Sequence, residues 1–183
     1  MDTLENCDKC GKPAYVFLSG KKGGRVGKLC FNCHNREMAE ITGCDMPDIV
    51  PQKIAVSDKN GKSHEFDLEF LILGNVKSLT ATQVGTGKRK IKVCGNLDED
   101  FNHMLDRLKK QIKKALSVKY LDSNGRFKDN KAVGYIEYNE QRDDHDVIID
   151  GKPYTWEQLG ENIPTFEGWK IKIEFAYTDD ELY

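Results

Sequence analysis

Apolar and polar residues alternate from His64 to Leu73, so that Phe66, Leu68, Phe70 and Ile72 fall on one side of an extended chain. A period of two marks a half-buried strand. Gly74-Asn75 turns the chain into Val76 to Val84, rich in Thr and Val, and Lys90 to Val93 places Ile91 and Val93 on one side. These runs predict a three-stranded meander with its last tip at Gly85-Thr86-Gly87. The period then lengthens. Phe101, Met104, Leu105, Leu108, Ile112, Ala115 and Leu116 recur at steps of three and four, while Arg107, Lys109, Lys110, Lys113 and Lys114 fall off that stripe. This is an amphipathic helix, with Asp98, Glu99 and Asp100 at its start and lysines towards its end, as the helix dipole favours.

After a loop at Asp122-Ser123-Asn124-Gly125, Val133 to Tyr138 and Asp146 to Ile149 read as strands, followed by Asp150-Gly151, a hairpin turn whose residues tolerate positive φ. Thr155, three residues before Gln158, forms a capping box for a short helix from Trp156 to Ile163. Trp169, Ile171, Ile173, Phe175 and Tyr177 alternate without a miss and predict a closing strand.

Ahead of the meander the pattern is different. Ala14 to Leu18 and Arg25 to Leu29 read as short strands joined by Ser19-Gly20-Lys21-Lys22-Gly23-Gly24, and His34 to Thr42 as a helix stopped by Gly43. Residues 45–53 hold two prolines and no periodicity, which marks a linker. The expected organisation is a small module over residues 1–44, that linker, and an α+β domain over residues 54–183 with a mainly antiparallel sheet and two helices.

Cysteine spacing explains how so short a module holds together. Cys7, Cys10, Cys30 and Cys33 form Cys-x2-Cys-x19-Cys-x2-Cys, in which each x2 pair grips one ion and the intervening hairpin brings the pairs together. A structural Zn2+ bound by these four thiolates is expected, because a closed thiolate shell leaves no position for water or substrate. Cys44 and Cys94 are outside the pattern.

The knuckle, hairpin and ligand-bearing helix start resemble the treble-clef arrangement. LCFNCHNREMAEITG (Leu29 to Gly43) with CDKCGKPAYV (Cys7 to Val16) resembles the front of a bacterial family of uncharacterised zinc-ribbon proteins, and FDLEFLILG, GNLDEDF, LSVKYL and VIIDGKPYTWEQLG resemble its downstream domain. That resemblance implies zinc and fold, and no activity. LCFNCHN also resembles the distal half of zinc-bearing HNH nucleases, which implies a general-base histidine in the hairpin between the pairs. Residues 11–29 contain no His, Asp or Glu, so a base and a metal carboxylate are both missing and the hydrolase reading is disfavoured.

Charge bears on partners. The 28 Lys and Arg nearly balance the 30 Asp and Glu, but residues 77–131 carry 14 basic against 6 acidic residues and residues 132–183 carry 4 against 13. Such blocks imply either segments that complement each other or opposed surface faces. Lys21 to Lys28 lacks the spacing and following helix of a phosphate-binding loop. Arg142-Asp143-Asp144-His145-Asp146 gathers cation-binding side chains on consecutive loop residues, which seldom converge on one ion.

With a hydrophobic share of 38% and no run near the ~20 apolar residues of a membrane helix, a folded protein without a membrane span is expected. The start MDTLENCDKC has neither a basic segment nor an apolar signal core, which together with the cysteine usage predicts a cytoplasmic protein. Two functions follow. The first is a non-enzymatic, zinc-stabilised module that binds another protein. The alternative is nucleic-acid binding through Lys21, Lys22, Arg25 and Lys28 on the first hairpin and Lys88, Arg89, Lys90 and Lys92 near the second tip. Aromatic interleaving, typical of single-strand binders, is absent there.

Overall fold

Three antiparallel sheets succeed one another along the chain in a computed structural model that describes residues 5–19, 25–85 and 89–175, with only the backbone of Arg25 and Val26. The first sheet pairs β1 (Val16–Ser19) with β2 (Arg25–Leu29), and α1 (Phe31–Thr42) follows. The second has the order β3-β4-β5-β6, built from Lys53–Ser57, Ser63–Leu73, Val76–Gln83 and Lys90–Asn96. α2 (Phe101–Ser117) packs on it. The third has the order β7-β8-β9, from Gly134–Asn139, Asp144–Ile149 and Lys152–Tyr154. α3 (Trp156–Gly160) and a 3-10 turn (Ile163–Phe166) follow it. The fold is α+β. Among the described residues no helix is long and apolar enough to cross a membrane.

The main core lies between the second sheet and α2. Phe66, Ile72, Leu79 and Val93 from the strands meet Met104, Leu108 and Ile112 from the helix, all fully buried. Each such side chain contributes about 1.5–3 kcal/mol by leaving water, before the entropy of ordering is set against it. Phe70 meets Phe101 edge-on, with ring centroids 5.4 Å apart. α2 begins where its capping residue allows: the Asp100 carboxylate accepts from the N–H groups of Asn102 and His103 at 2.9 and 3.1 Å.

The meander expected from periodicity is present in antiparallel register, from Leu73 opposite Val76 to Lys90 opposite Thr82. Its expected tip includes Thr86 and Gly87, which lie outside the described residues. β3 adds a strand that the pattern does not announce, since KIAVS is short and buries only Val56 fully. Asp150 and Gly151 both take positive φ, at 55° and 80°, and α1 ends on left-handed Gly43 at 69°. The Thr155–Gln158 capping box is formed, but α3 stops at Gly160 and the chain resumes as the 3-10 turn.

One expectation fails. Residues 169–175 form no strand, and Trp169, Ile171, Ile173 and Phe175 are between 64% and 77% exposed, while Tyr177, the last residue of the expected strand, lies outside the described residues. Alternation supplies a strand with an apolar face, but pairing also needs an edge to accept it, and none of the described strands pairs with this run.

Candidate metal centre

The first thiol pair sits in a knuckle. Cys7 N–H donates to the Lys12 carbonyl at 2.7 Å, and Gly11 N–H donates back to the Cys7 carbonyl at 3.0 Å, with Gly11 at φ 71°. That reversal places Cys10 beside Cys7. Asp8 fastens the knuckle to β2, because its N–H donates to the Lys28 carbonyl at 2.9 Å and its carboxylate accepts from Lys28 N–H at 2.8 Å.

The second pair sits at the start of α1. Cys30 is the capping residue, and its Sγ accepts from Cys33 N–H at 3.5 Å. A helix N-terminus presents unpaired N–H groups and the positive end of the dipole, which favour thiolate. The β1–β2 hairpin joins the pairs, so all four Sγ atoms lie within 4.8 Å of one another, with Cys10 and Cys30 at 3.5 Å. Cys7 and Cys30 are buried, Cys33 is half-buried and Cys10 is exposed. Four sulfurs this close together form a cluster able to hold one metal ion.

Four thiols in so small a space cannot all ionise without a cation. Burial by itself would raise Cys7, but N–H groups of Cys30, Lys9 and Cys10 and the Cys10 thiol outweigh it and bring Cys7 down to about 6. Burial and the thiols of Cys10, Cys30 and Cys7 push Cys33 up to about 12. The cluster therefore gives up its first proton easily and its last one reluctantly, until a positive ion replaces them.

His34, next to Cys33, has its Nε2 3.0 Å from the Ile72 carbonyl of β4, outside the group of sulfurs. Among the described residues no other His, Cys, Asp or Glu group converges on a common point. Asp144, His145 and Asp146, expected in a loop, begin β8 instead; Arg142 pairs with Asp146, Tyr138 donates to Asp143, and the His145 ring meets Tyr138 edge-on.

The basic candidates are scattered. Lys28 pairs with Glu5 at 3.0 Å, and Arg89 donates to Gln83 Oε1 at 3.2 Å with its side chain against Gly151. Lys90 is exposed and Lys92 half-buried. Lys21, Lys22 and Lys88 lie outside the described residues, as does the side chain of Arg25.

Sequence reading passed over an aromatic group beside the sulfurs. Tyr15 stacks on Phe31 with centroids 4.9 Å apart and an interplanar angle of 19°, and Phe17 stands on the same outward register of the hairpin. Tyr15 and Phe17 are 50% and 45% exposed, whereas Val16 and Leu18 turn inward onto Cys7, Ala14, Leu29 and Cys30. The alternation in Ala14 to Leu18 carried that signal, but the outward residues are as apolar as the inward ones and hide it.

Three stretches match described families. Residues 6–45 match a domain of unknown function (DUF7685), residues 48–117 another (DUF7686), and residues 119–180 a third (DUF7713). No curated protein matches the chain, and no solved structure does.

Proposed function

We propose that this chain is a non-enzymatic, zinc-stabilised interaction module that binds another protein through the aromatic face of its cysteine unit. Zinc fits the donor set: four thiolates suit a borderline-soft ion without geometric preference, and Zn–S bonds of ~2.3 Å imply sulfurs ~3.8 Å apart in a tetrahedron. The spread of up to 4.8 Å around the cluster, with one pair at 3.5 Å, accommodates that with small side-chain adjustment. With four protein ligands the ion would have no position for substrate, so its role is to hold the fold.

The observation carrying the partner reading is exposed Tyr15 stacked on half-buried Phe31, with exposed Phe17 on the same side of the hairpin. Flat aromatic side chains fixed on a rigid support lose little entropy on binding and dominate protein interfaces. The nucleic-acid reading has less behind it, because Lys28 and Arg89 are engaged within the chain. The test is a photo-crosslinking residue placed at Phe17, compared with one at exposed Ile49. A discrete protein adduct at position 17, lost when Tyr15→Ala is added, supports the proposal. Equal labelling at both positions, or recovery of nucleic acid alone, overturns it.

A further inference from the structure

A cleft of about 710 Å³ opens between the second and third sheets, within the ~300–1,000 Å³ of small-molecule sites. Its wall is mostly apolar, with Ile91 from β6, Ala115 from α2, and Val133, Ile136 and Ile148 in or beside the third sheet. Arg89 stands on the same wall. Its Nη1 donates to Gln83 Oε1 at 3.2 Å and lies against Gly151, where a Cβ would stand 2.9 Å away. Its Nη2 is buried and has no hydrogen-bond partner among the described residues. A buried donor on a cation is costlier to leave unmade than a neutral one, and a water, an ion or a ligand meets that cost.

Other cations gather at that end of the cleft. Asp150 Oδ2 accepts from the N–H groups of Tyr120 and Leu121 at 2.9 and 3.0 Å, and Lys128 N–H donates to the Tyr120 carbonyl at 2.9 Å. Lys119 precedes Tyr120, and Lys152 follows the Asp150-Gly151 turn, opposite Ile149. Burial, then the charges of Arg89, Lys152 and Lys128, hold the Lys119 ammonium below the usual lysine range, with Asp150 opposing them. Four cations thus share the neighbourhood of one carboxylate, and none of the four forms an ion pair among the described residues. Glu174, also on the cleft wall, is taken up by Lys172 at 2.8 Å. Such an excess of positive charge suits an anion of more than one charge, and a phosphate monoester carries close to two.

We propose that this cleft binds a small organic phosphate, with the phosphate against Arg89 and among Lys119, Lys128 and Lys152, and an apolar or aromatic body along Ile91, Ile136 and Ile148. Arg89 is the anchor, because the ligand supplies the acceptor that its Nη2 lacks. The lysines, on flexible stems, add charge around it.

Calorimetric titration of the full chain with phenyl phosphate tests this, beside inorganic phosphate, which lacks the body, and benzoate, which lacks the second charge. Phenyl phosphate is expected to saturate one site and to bind about tenfold more tightly than either. Arg89→Gln is expected to weaken it by about tenfold or more, the loss of a charge-assisted hydrogen bond. Lys128 is exposed, so Lys128→Gln reads the site without disturbing the fold, and a loss of about threefold is expected there, as for an exposed ion pair. Lys59→Gln, an equal change of charge in the turn between β3 and β4, should have no effect. No saturable binding, equal affinity for inorganic phosphate or benzoate, or equal weakening by Lys128→Gln and Lys59→Gln overturns the proposal. Displacement of phenyl phosphate by a short oligothymidylate at lower phosphate concentration also overturns it, since that marks an open groove for a polyanion.

Discussion

Asn35 takes the place of a missing strand beside Ile72. Its Oδ1 accepts from Ile72 N–H at 2.9 Å and its Nδ2 donates to the Phe70 carbonyl at 2.7 Å. β3 pairs with β4 only as far as Lys53 opposite Asp67, and Leu68 N–H still reaches the Gln52 carbonyl. Beyond that point the same edge of β4 would be bare at Phe70 and Ile72. Asn35 supplies one donor and one acceptor there, and His34 adds a contact to the Ile72 carbonyl at 3.0 Å. Two residues after Cys33, the first turn of α1 is thus fixed to the main sheet.

Asn35→Leu is therefore expected to destabilise the chain by more than a surface change does. It leaves a buried N–H and a buried carbonyl unpaired, at about 1–3 kcal/mol for each. Asn35→Asp keeps the acceptor for Ile72 but loses the donor to Phe70, and should also destabilise. Urea unfolding followed by fluorescence reads both. A midpoint within error of wild type for Asn35→Leu would show that the bonds to β4 contribute nothing.

The gathering of sulfurs was legible in the sequence because two x2 pairs are a local feature with one geometric meaning. The second sheet was legible because period two in β4 and period 3.6 in α2 each fix a buried face. Asn35 was not, since an Asn inside a helix looks like a solvated residue until the neighbouring strand edge is known. The exposed run from Trp169 to Phe175 misled for the same reason in reverse: its pattern is local, whereas strand pairing depends on what lies alongside.

A polar chain at the open end of the second sheet gives a pH dependence. Asp58 Oδ2 lies 3.1 Å from His64 Nε2, its Oδ1 accepts from Asn60 and Lys62 N–H, and His64 Nδ1 lies 3.1 Å from Gln83 Nε2. The His64 bond, followed by those N–H groups, holds the Asp58 carboxyl below its usual range against the effect of burial. A depressed carboxyl stabilises the fold above its unfolded pKa of about 3.9, and the contribution is lost as pH falls through the folded value. Asp58→Asn should therefore be less stable than wild type at pH 7, and the gap should shrink below about pH 4. Urea midpoints from pH 7 to 2 measure it. A gap that stays constant over this range contradicts the assignment.

Gly134 is required by its neighbours. A Cβ there would stand 2.6 Å from the Ile148 carbonyl oxygen and 2.9 Å from Ile149 Cγ1, and the carbonyl belongs to the paired strand β8. Gly134→Ala must push β7 from β8, a steric penalty of about 1–3 kcal/mol. Gly160, where α3 ends, has nothing within 4 Å of such a Cβ, and Gly160→Ala should be neutral or slightly stabilising. The difference in thermal midpoint between the two variants is the measurement, and equal midpoints would remove the steric account.

The four sulfurs belong to one of two separate clusters, so loss of the proposed ion is expected to act on that one. Cys7, Ala14, Leu29 and Cys30, with Val16, Leu18 and Cys33 around them, form a cluster distinct from the one between the second sheet and α2. Two of its four buried members are the thiols themselves, so without a cation the cluster has little apolar surface to hold it and four sulfurs to keep apart. None of the four sulfurs belongs to the main core, and Asn35 is attached to β4 through side-chain bonds that need no metal. Chelation is thus expected to release the amides of residues 5–19 and 25–29 to exchange while β4, β5, β6 and α2 keep their protection. Elemental analysis should find one zinc per chain, lost in Cys30→Ser and retained in Cys44→Ser and Cys94→Ser. If chelation leaves residues 5–19 and 25–29 protected, the hairpin stands by itself; if it releases α2 as well, the two cores are one cooperative unit.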